Sequence, residues 1–536
     1  MERTAEPSIL GKRKTPPLKE RIVNIVHKFL LLLTRWILRF IYGEHGQKVS
    51  PIRNEILLES ASSLALKIRT KKLTSVSVME AFIARCKEIN PLLNIIVDER
   101  YEEALKEAEK ADKLIASGTL TEKQLANEKP FLGVPISTKD CIKVKGLLHT
   151  TGLWARRSTR ADKDARAMEL MRKAGAIPFA LTNVSEICMW WESVNTVFGR
   201  SRNPYDTNRI VGGSSGGEGA LQAAGGSPFG LGSDIGGSIR MPAFFNGIFG
   251  HKPSRNVVSN DGQYPETVTK EADRFLTIGP LCRYAVDLKP MLQIISEENT
   301  KKLRLDDLVD LKQVKFFYQL DDGGGSMVSP VDQDILEAID KAMNYFRSTI
   351  KADVNRVQLD KLQMSGPIWF GNLKEKDEIT LDVQMANMEG KINPYAELFK
   401  WFFGMSNHTF AVIMAAVTDR NGVQHGTPEY HALVKLRDEL LQEFDELLRD
   451  NGVFIYPTYP TVAPYHNEPL VRTMNFSYTA VINALGLPST AVPLGIGREG
   501  LPIGLQVIGN LNQDRLCLAV ALELERVFGG WVEPNV

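Results

Sequence analysis

The chain has 536 residues, 43% of them apolar and 24% charged, which is the composition of a globular protein large enough for a sizeable core. A formal net charge of +1 argues against a nucleic-acid partner, which normally needs a strongly basic face. Cys86, Cys141, Cys188, Cys282 and Cys517 are scattered and form no C-x-x-C, so they support neither a zinc site nor a disulfide framework and read as buried hydrophobes or free thiols.

Residues 1–18 are a polar tail containing Pro16-Pro17. The next stretch, 19–45, is apolar but interrupted: Arg21–Tyr42 reads RIVNIVHKFLLLLTRWILRFIY, and its longest uncharged run is Phe29–Thr34. That run is well short of the roughly 18 clean residues that identify a spanning helix. At about 100° per residue, Arg21, Asn24, Lys28, Arg35 and Arg39 share one narrow stripe on an otherwise apolar cylinder. The pattern predicts a helix lying in a membrane interface, its bases snorkelling to headgroups. A tilted marginal span and a surface helix packed on another protein are the competing readings. Charges inside the apolar core count against a cleaved signal peptide.

From about Glu55 the pattern is that of a helix-rich α/β protein. A capping-box pattern at Ser77–Glu80 predicts a helix through Ala81–Ile89, and Tyr101–Leu114 reads as a second. Phe131–Ser137 reads as a strand leading into Lys139; Arg166–Ala174 is a helix stopped by Gly175, and Ile177–Leu181 the next strand. Further on, Val314–Leu320 is β-rich, Asp321–Ser326 is a turn, and Pro330 and Asp332 open a helix through about Arg347. Val453–Tyr456 is a strand stopped by Pro457, and NALGLPSTAVPLG and GLPIGLQVIG suggest buried strands and tight turns. Asp514–Phe528 closes the chain as a helix ended by Gly529-Gly530. No repeat or linker divides it, so 46–536 reads as one catalytic domain.

Three short segments carry the chemistry: GVPISTKD at Gly133–Asp140, VGGSSGGEGA at Val211–Ala220, and LGSDIGGSIR at Leu231–Arg240. Glycines let backbone amides crowd a reacting atom, so the N–H groups of Ile235, Gly236, Gly237 and Ser238 are expected to converge on an oxyanion while Ser238 attacks. Lys139, embedded in apolar sequence, is a candidate for desolvation, which favours its neutral, basic form. Ser214 is placed to shuttle a proton between the two. No metal or organic cofactor is required by this chemistry, and no His/Cys/Asp cluster offers a metal site.

Lys139, the GGSSGG loop and the DIGGSIR loop, in that order, identify the chain as a member of the amidase-signature family, a resemblance that covers most of the sequence after residue 55. The resemblance implies Ser238 as nucleophile, Ser214 as bridging serine and Lys139 as ultimate base and acid. It also implies that Ser215 bonds within the network and that Asp234 with Arg240 braces the nucleophile loop. The implied fold is α/β: a large, mixed, twisted sheet sandwiched by many helices, here preceded by the N-terminal apolar helix. Glu218, in a GGSSGGEG variant, resembles the fatty-acid amide hydrolases, as do Asn195–Tyr205, Met241–Pro253 and the N-terminal apolar segment. That likeness implies a lipid amide substrate, a location at an intracellular membrane or another lipid-rich surface, and an acyl channel walled by Cys188, Met189, Trp190 and Trp191. Leu398, Trp401, Phe402 and Met405 fall at i, i+3, i+4 and i+7, widened by Phe399 and Phe403. Within 398–417 this stripe is either an ordinary buried helix or a membrane-facing entrance to the channel.

Other readings stand beside this one. Gly213–Gly217 satisfies G-x-S-x-G, which would make Ser215 the nucleophile of an α/β-hydrolase with His466 as its late base, but no strong strand precedes it. A phosphate loop is excluded because no G-x-x-x-x-G-K-[ST] occurs. An amidase of different specificity, a glutamine-dependent amidotransferase subunit and a membrane scaffold that has lost the reaction complete the alternatives.

Overall fold

The computed structural model describes residues 18–266, 272–325, 327–374 and 379–535. The polar tail expected over 1–18 therefore lies, apart from Leu18, outside the described residues. Thirteen strands occur among the described residues. In chain order they are β1 Ile96–Glu99, β2 Pro135–Lys139, β3 Ile177–Thr182, β4 Val194–Asn195, β5 Gly199–Arg200, β6 Phe229–Asp234 and β7 Phe249–Lys252. Then follow β8 Thr277–Cys282, β9 Lys315–Tyr318, β10 Asp353–Arg356, β11 Gly452–Tyr456, β12 Ser489–Ile496 and β13 Pro502–Gly509. Eleven of them build one sheet in the order β1-β3-β2-β6-β8-β7-β12-β13-β11-β9-β10, while β4 and β5 pair as a separate ribbon.

The sheet is mixed. β2 runs parallel to both β3 and β6, and β9 runs parallel to both β10 and β11; the remaining pairs are antiparallel. Its central strands are buried along their whole length, as strands covered by helices must be. Helix Gly216–Ala223, every residue of it buried, packs on β2, β3 and β6, and helix Asp514–Phe528 packs on β12 and β13.

Several expected elements shift. The helix expected through Ala81–Ile89 is Ser75–Leu93, not one opened by the Ser77–Glu80 box: Thr74 is its cap, accepting from Ser77 N–H. The strand expected over Phe131–Ser137 is β2, four residues later, because Phe131 and Leu132 are buried from a turn rather than a strand. The closing helix occupies Asp514–Phe528 as expected, with Gly529 left-handed at φ +87°.

The N-terminal helix spans Leu18–Tyr42, and among the described residues no helix is long and apolar enough to cross a membrane. Its orientation reverses one expectation. Arg35 does not snorkel outward but ion-pairs with Glu499, which also pairs with Arg209, and Arg39 pairs with Glu44. His27, Leu31 and Leu38 are buried on the body of the protein, and His27 Nε2 meets the Val471 carbonyl at 3.1 Å. Arg35 is thus a docking contact, held by a charge-assisted bond to the partly exposed Glu499, while Arg39 and Glu44 pair in solvent. The face left in solvent carries Phe29, Leu32, Trp36, Phe40 and Ile41. The side chains of Arg21, Asn24 and Lys28 lie outside those described.

The second apolar stripe also differs from the buried reading. Its helix is Pro394–Phe402, so Met405 belongs to the following turn, and Phe399, Trp401, Phe402, Phe403 and Met405 are all exposed.

Candidate active site

β2 and β6 are parallel neighbours whose last residues are Lys139 and Asp234, so both strands open at the same carboxyl edge. This edge of an α/β sheet is where ligands meet the fold. Lys139 is fully buried there, and its amine donates to Ser214 Oγ at 2.7 Å, to Ser233 Oγ at 2.9 Å and to the Ser233 carbonyl at 3.2 Å. Ser214 follows Gly213 through a cis peptide bond and directly precedes the turn into helix Gly216–Ala223. Gly213 must be glycine, because a Cβ would lie 2.4 Å from the Trp190 carbonyl.

The second serine loop is joined to the first by backbone: Ser215 N–H donates to the Ser238 carbonyl at 3.2 Å, and Ser215 Oγ donates to the Ser233 carbonyl at 3.3 Å. Ser215 therefore sits inside the network. No hydrogen bond joins Ser214 Oγ directly to Ser238 Oγ among the described residues, a separation common in sites that tighten only around substrate.

Asp234 and Arg240 are both fully buried and form a two-point pair, Nε to Oδ2 at 3.1 Å and the Arg240 NH2 group to Oδ1 at 3.1 Å. Burial opposes ionisation of Asp234, but the Arg240 charge and its hydrogen bonds hold the carboxyl far below the usual carboxylate range. Asp234 Oδ1 also accepts the Gly237 N–H at 2.6 Å, and Oδ2 accepts that of Ile239 at 3.1 Å. This corrects the expected set of oxyanion donors. Gly237 braces the loop, leaving the amides of Ile235, Gly236 and Ser238 without an acceptor among the described residues.

Three residues that sequence reasoning missed set the direction of these amides. In a trans peptide the carbonyl and the following N–H point oppositely, so a donor on one carbonyl aims the next amide. Asn483 Nδ2 donates to the Asp234 carbonyl at 3.1 Å, Trp369 Nε1 to Ile235 at 2.8 Å, and Thr479 Oγ1 to Gly236 at 2.8 Å. They thereby orient the N–H groups of Ile235, Gly236 and Gly237 in turn. Thr479 and Asn483 share one face of helix Ser477–Leu485, and the i, i+4 polar pair in an apolar helix was the available signal.

The expected wall lies alongside. Cys188, Met189 and Trp190 are half-buried and Trp191 is buried. Trp190 stacks on Trp191 with centroids 4.0 Å apart, Trp191 on Phe476 at 4.8 Å, and Phe476 meets Trp369 edge-on at 5.0 Å. A stack of aromatic rings, buried from Trp191 onward, thus runs from the wall to the indole that holds the nucleophile loop. Ile187 and Cys188 adopt left-handed backbone at φ +53° and +56°, an outlier for a β-branched residue. Glu186 anchors this strained turn, accepting from Thr409 N–H at 2.7 Å and bonding His408 Nδ1 at 2.7 Å, just beyond the exposed aromatic helix.

Other buried acids stand behind the site. Burial pushes the Glu218 carboxyl up to about 8, although Ser137, Gln222 and Thr182 donate to it. His466 is engaged elsewhere, Nδ1 with Glu192 at 2.8 Å and Nε2 with the Thr207 carbonyl at 3.0 Å. It makes no bond to Ser215, and no strand leads into the Gly213–Gly217 turn, so the α/β-hydrolase reading is not met.

A mixed sheet with a buried lysine and two glycine-rich serine loops at one strand edge defines an amide-cleaving hydrolase, and the chain belongs to the amidase family, whose model matches residues 77–518. Its relatives narrow the comparison. It is 45% identical over 497 residues to fatty-acid amide hydrolase 2-A of Danio rerio, covering 92% of this chain and 93% of that one. Fatty-acid amide hydrolase 2 of Homo sapiens is also 45% identical, over 490 residues and 90% and 92% of the two chains. The solved structure of a fatty acid amide hydrolase shares the fold with a TM-score of 0.70 at 23% identity, covering 91% of this chain and 88% of that one.

Proposed function

We propose that this amidase is a membrane-associated hydrolase of fatty-acid amides that works through a Ser238–Ser214–Lys139 triad and an acyl-enzyme. The observation that carries the reading is the 2.7 Å bond from the buried Lys139 amine to Ser214 Oγ, beside the Ser238 loop, in which the Ile235, Gly236 and Ser238 amides have no acceptor among the described residues. In its neutral form Lys139 takes a proton through Ser214 from Ser238, whose Oγ bonds to the acyl carbon. The carbonyl electron pair moves to oxygen, where the Ile235, Gly236 and Ser238 amides receive the charge; each such donor is worth roughly 3 kcal/mol in the transition state. The tetrahedral intermediate collapses as the C–N bond breaks, and the same proton returns through Ser214 to the departing amine. Water then adds to the acyl ester, giving its proton to Lys139 by the same route; as the C–O bond to Ser238 breaks, that proton returns through Ser214 to Ser238 Oγ, releasing a fatty acid and free Ser238.

The lipid substrate rests on two supports. The relatives at 45% identity are named as fatty-acid amide hydrolases. Apolar side chains also stand in solvent on helix Leu18–Tyr42 and on Phe399, Trp401, Phe402 and Phe403, beyond what a soluble surface normally exposes as one group. We assign 19–45 as a membrane-lying helix and 46–536 as the catalytic domain, with the tail 1–18 preceding both. The test is a panel of N-acyl amides of increasing chain length, with glutamine alongside, offered to the purified full-length protein and to Ser238→Ala. Long acyl amides hydrolysed by the first and not the second support the reading; preference for glutamine or for short amides overturns it.

A further inference from the structure

The wall Ile187–Trp191 is held at both ends by buried glutamates of matching geometry. At one end Glu186, 1% exposed, has Oε1 2.7 Å from His408 Nδ1 and accepts the Thr409 N–H on Oε2 at 2.7 Å. At the other end Glu192 has Oε1 2.8 Å from His466 Nδ1 and accepts the Asn467 N–H on Oε2 at 3.0 Å. Each carboxylate grips a histidine ring and the backbone amide of the next residue.

The two grips differ in what lies beyond them. On the Glu192 side the chain is bonded directly to the first serine loop, since Ser193 donates its N–H and Oγ to the Gly212 carbonyl at 3.1 and 2.9 Å. On the Glu186 side the wall meets helix Phe410–Asn421, whose N-cap is Thr409. Ile187 is buried there with Val412, Ile413 and Ala416 in a small apolar cluster apart from the main core. Met189 of the wall and Leu398 of the exposed aromatic helix pack against the same cluster. The His408 N–H reaches Ser406 Oγ at 3.1 Å, and that hydroxyl donates to Glu397 of the aromatic helix at 2.7 Å. Glu186 therefore ties the left-handed turn at Ile187 and Cys188 to both of these helices. A β-branched residue stays in that backbone region only while its surroundings hold it there. A carboxylate at a helix N-terminus, where the amide dipoles favour negative charge, is a strong hold.

Amide hydrolysis as written above makes no use of Glu186. We propose that Glu186 is a specificity-determining positioning residue, which keeps Cys188, Met189 and Trp190 in line against a long acyl chain and leaves the bond-breaking step alone. The inference rests on the acyl-amide reading of the site. A loosened wall costs binding of the chain that lies along it, whereas a chain too short to reach the wall is indifferent.

The test compares the p-nitroanilides of butanoic and palmitic acid as substrates of the full-length protein, with palmitate binding measured beside them by calorimetry. In Glu186→Ala, which loses both bonds, kcat/KM for the palmitic anilide is expected to fall about tenfold, through KM, with the butanoic anilide within about twofold of native. Palmitate affinity is expected to fall in step. Glu186→Gln, which keeps an acceptor for the Thr409 N–H, is expected to recover most of the loss. His408→Ala breaks one of the two bonds from the other side; it is expected to show the same pattern more weakly, and stands should Glu186→Ala not fold. An equal loss on both chains, or an unchanged ratio with unchanged palmitate affinity, overturns the positioning role and leaves the acyl-amide reading standing. Palmitate bound by the native protein and weakened in the variants, with neither anilide hydrolysed, upholds the role and refutes the reaction. A native protein that neither binds palmitate nor prefers the longer anilide overturns both.

Discussion

The indole N–H of Trp369 donates to the Ile235 carbonyl at 2.8 Å, and this single bond fixes where the Gly236 amide points. Trp369 is also part of the aromatic stack that continues through Phe476 to Trp191. Trp369→Phe keeps the ring and removes the donor. Since a net hydrogen bond is worth about 1 kcal/mol, acylation should slow roughly five- to tenfold with KM little changed, read by single-turnover kinetics. An equal rise in KM with kcat intact would assign Trp369 to substrate binding instead.

Lys139 is closed from solvent and, among the described residues, bonds to Ser214 and Ser233 and to no carboxylate. Removing the base should lower the acylation rate by roughly 10²–10⁴, the usual contribution of positioned proton transfer. His466→Ala, which loses contacts to Glu192 and Thr207 only, should retain most activity.

Much of this was legible in the sequence. Helix Asp514–Phe528 was bounded at both ends by local signals, an acidic first turn and a left-handed glycine, and it occurs where those signals place it. The three segments bearing Lys139, Ser214 and Ser238 were also legible, because glycine crowding leaves a local signature; their meeting at one strand edge is a matter of sheet order. What was hidden depends on distant partners. Nothing near Gly237 in sequence says that its amide is taken by Asp234 rather than left for an oxyanion. Arg35 of the first helix turns to the body of the protein because Glu499, more than 450 residues away, is there to receive it. β2 began late because apolar Phe131 and Leu132 can be buried equally well from a turn.

Glu218 provides a pH signature of the folded core. Its buried carboxyl titrates near 8 in the fold against an ordinary value of 4.5 in the unfolded chain. Between those values the folded protein holds a proton that the unfolded chain has released, so stability falls as pH rises through this window. Glu218→Gln keeps the shape and removes the titration. Urea unfolding at pH 5, 7 and 9 should show the native protein losing stability relative to the variant from pH 5 to about 8, then running parallel. A constant difference across the range would mean that Glu218 is ionised in the fold.

The two exposed apolar groups should act at lipid surfaces. Deleting residues 1–45 should release much of the protein from sedimenting phosphatidylcholine vesicles. Replacing Trp401 and Phe402, both exposed, by serine should weaken vesicle binding or the turnover of long acyl amides. Unchanged sedimentation and unchanged turnover in both variants would assign these surfaces to another partner.

The most direct measurement is the site of the acyl group. The full-length protein, mixed with a long-chain N-acyl amide and quenched in acid within a turnover, is digested and its peptides weighed. A fatty acyl ester on Ser238, absent from Ser238→Ala and slow to appear in Lys139→Ala, is the predicted result. Acyl mass on Ser214 or Ser215 with Ser238 unmodified would contradict the account.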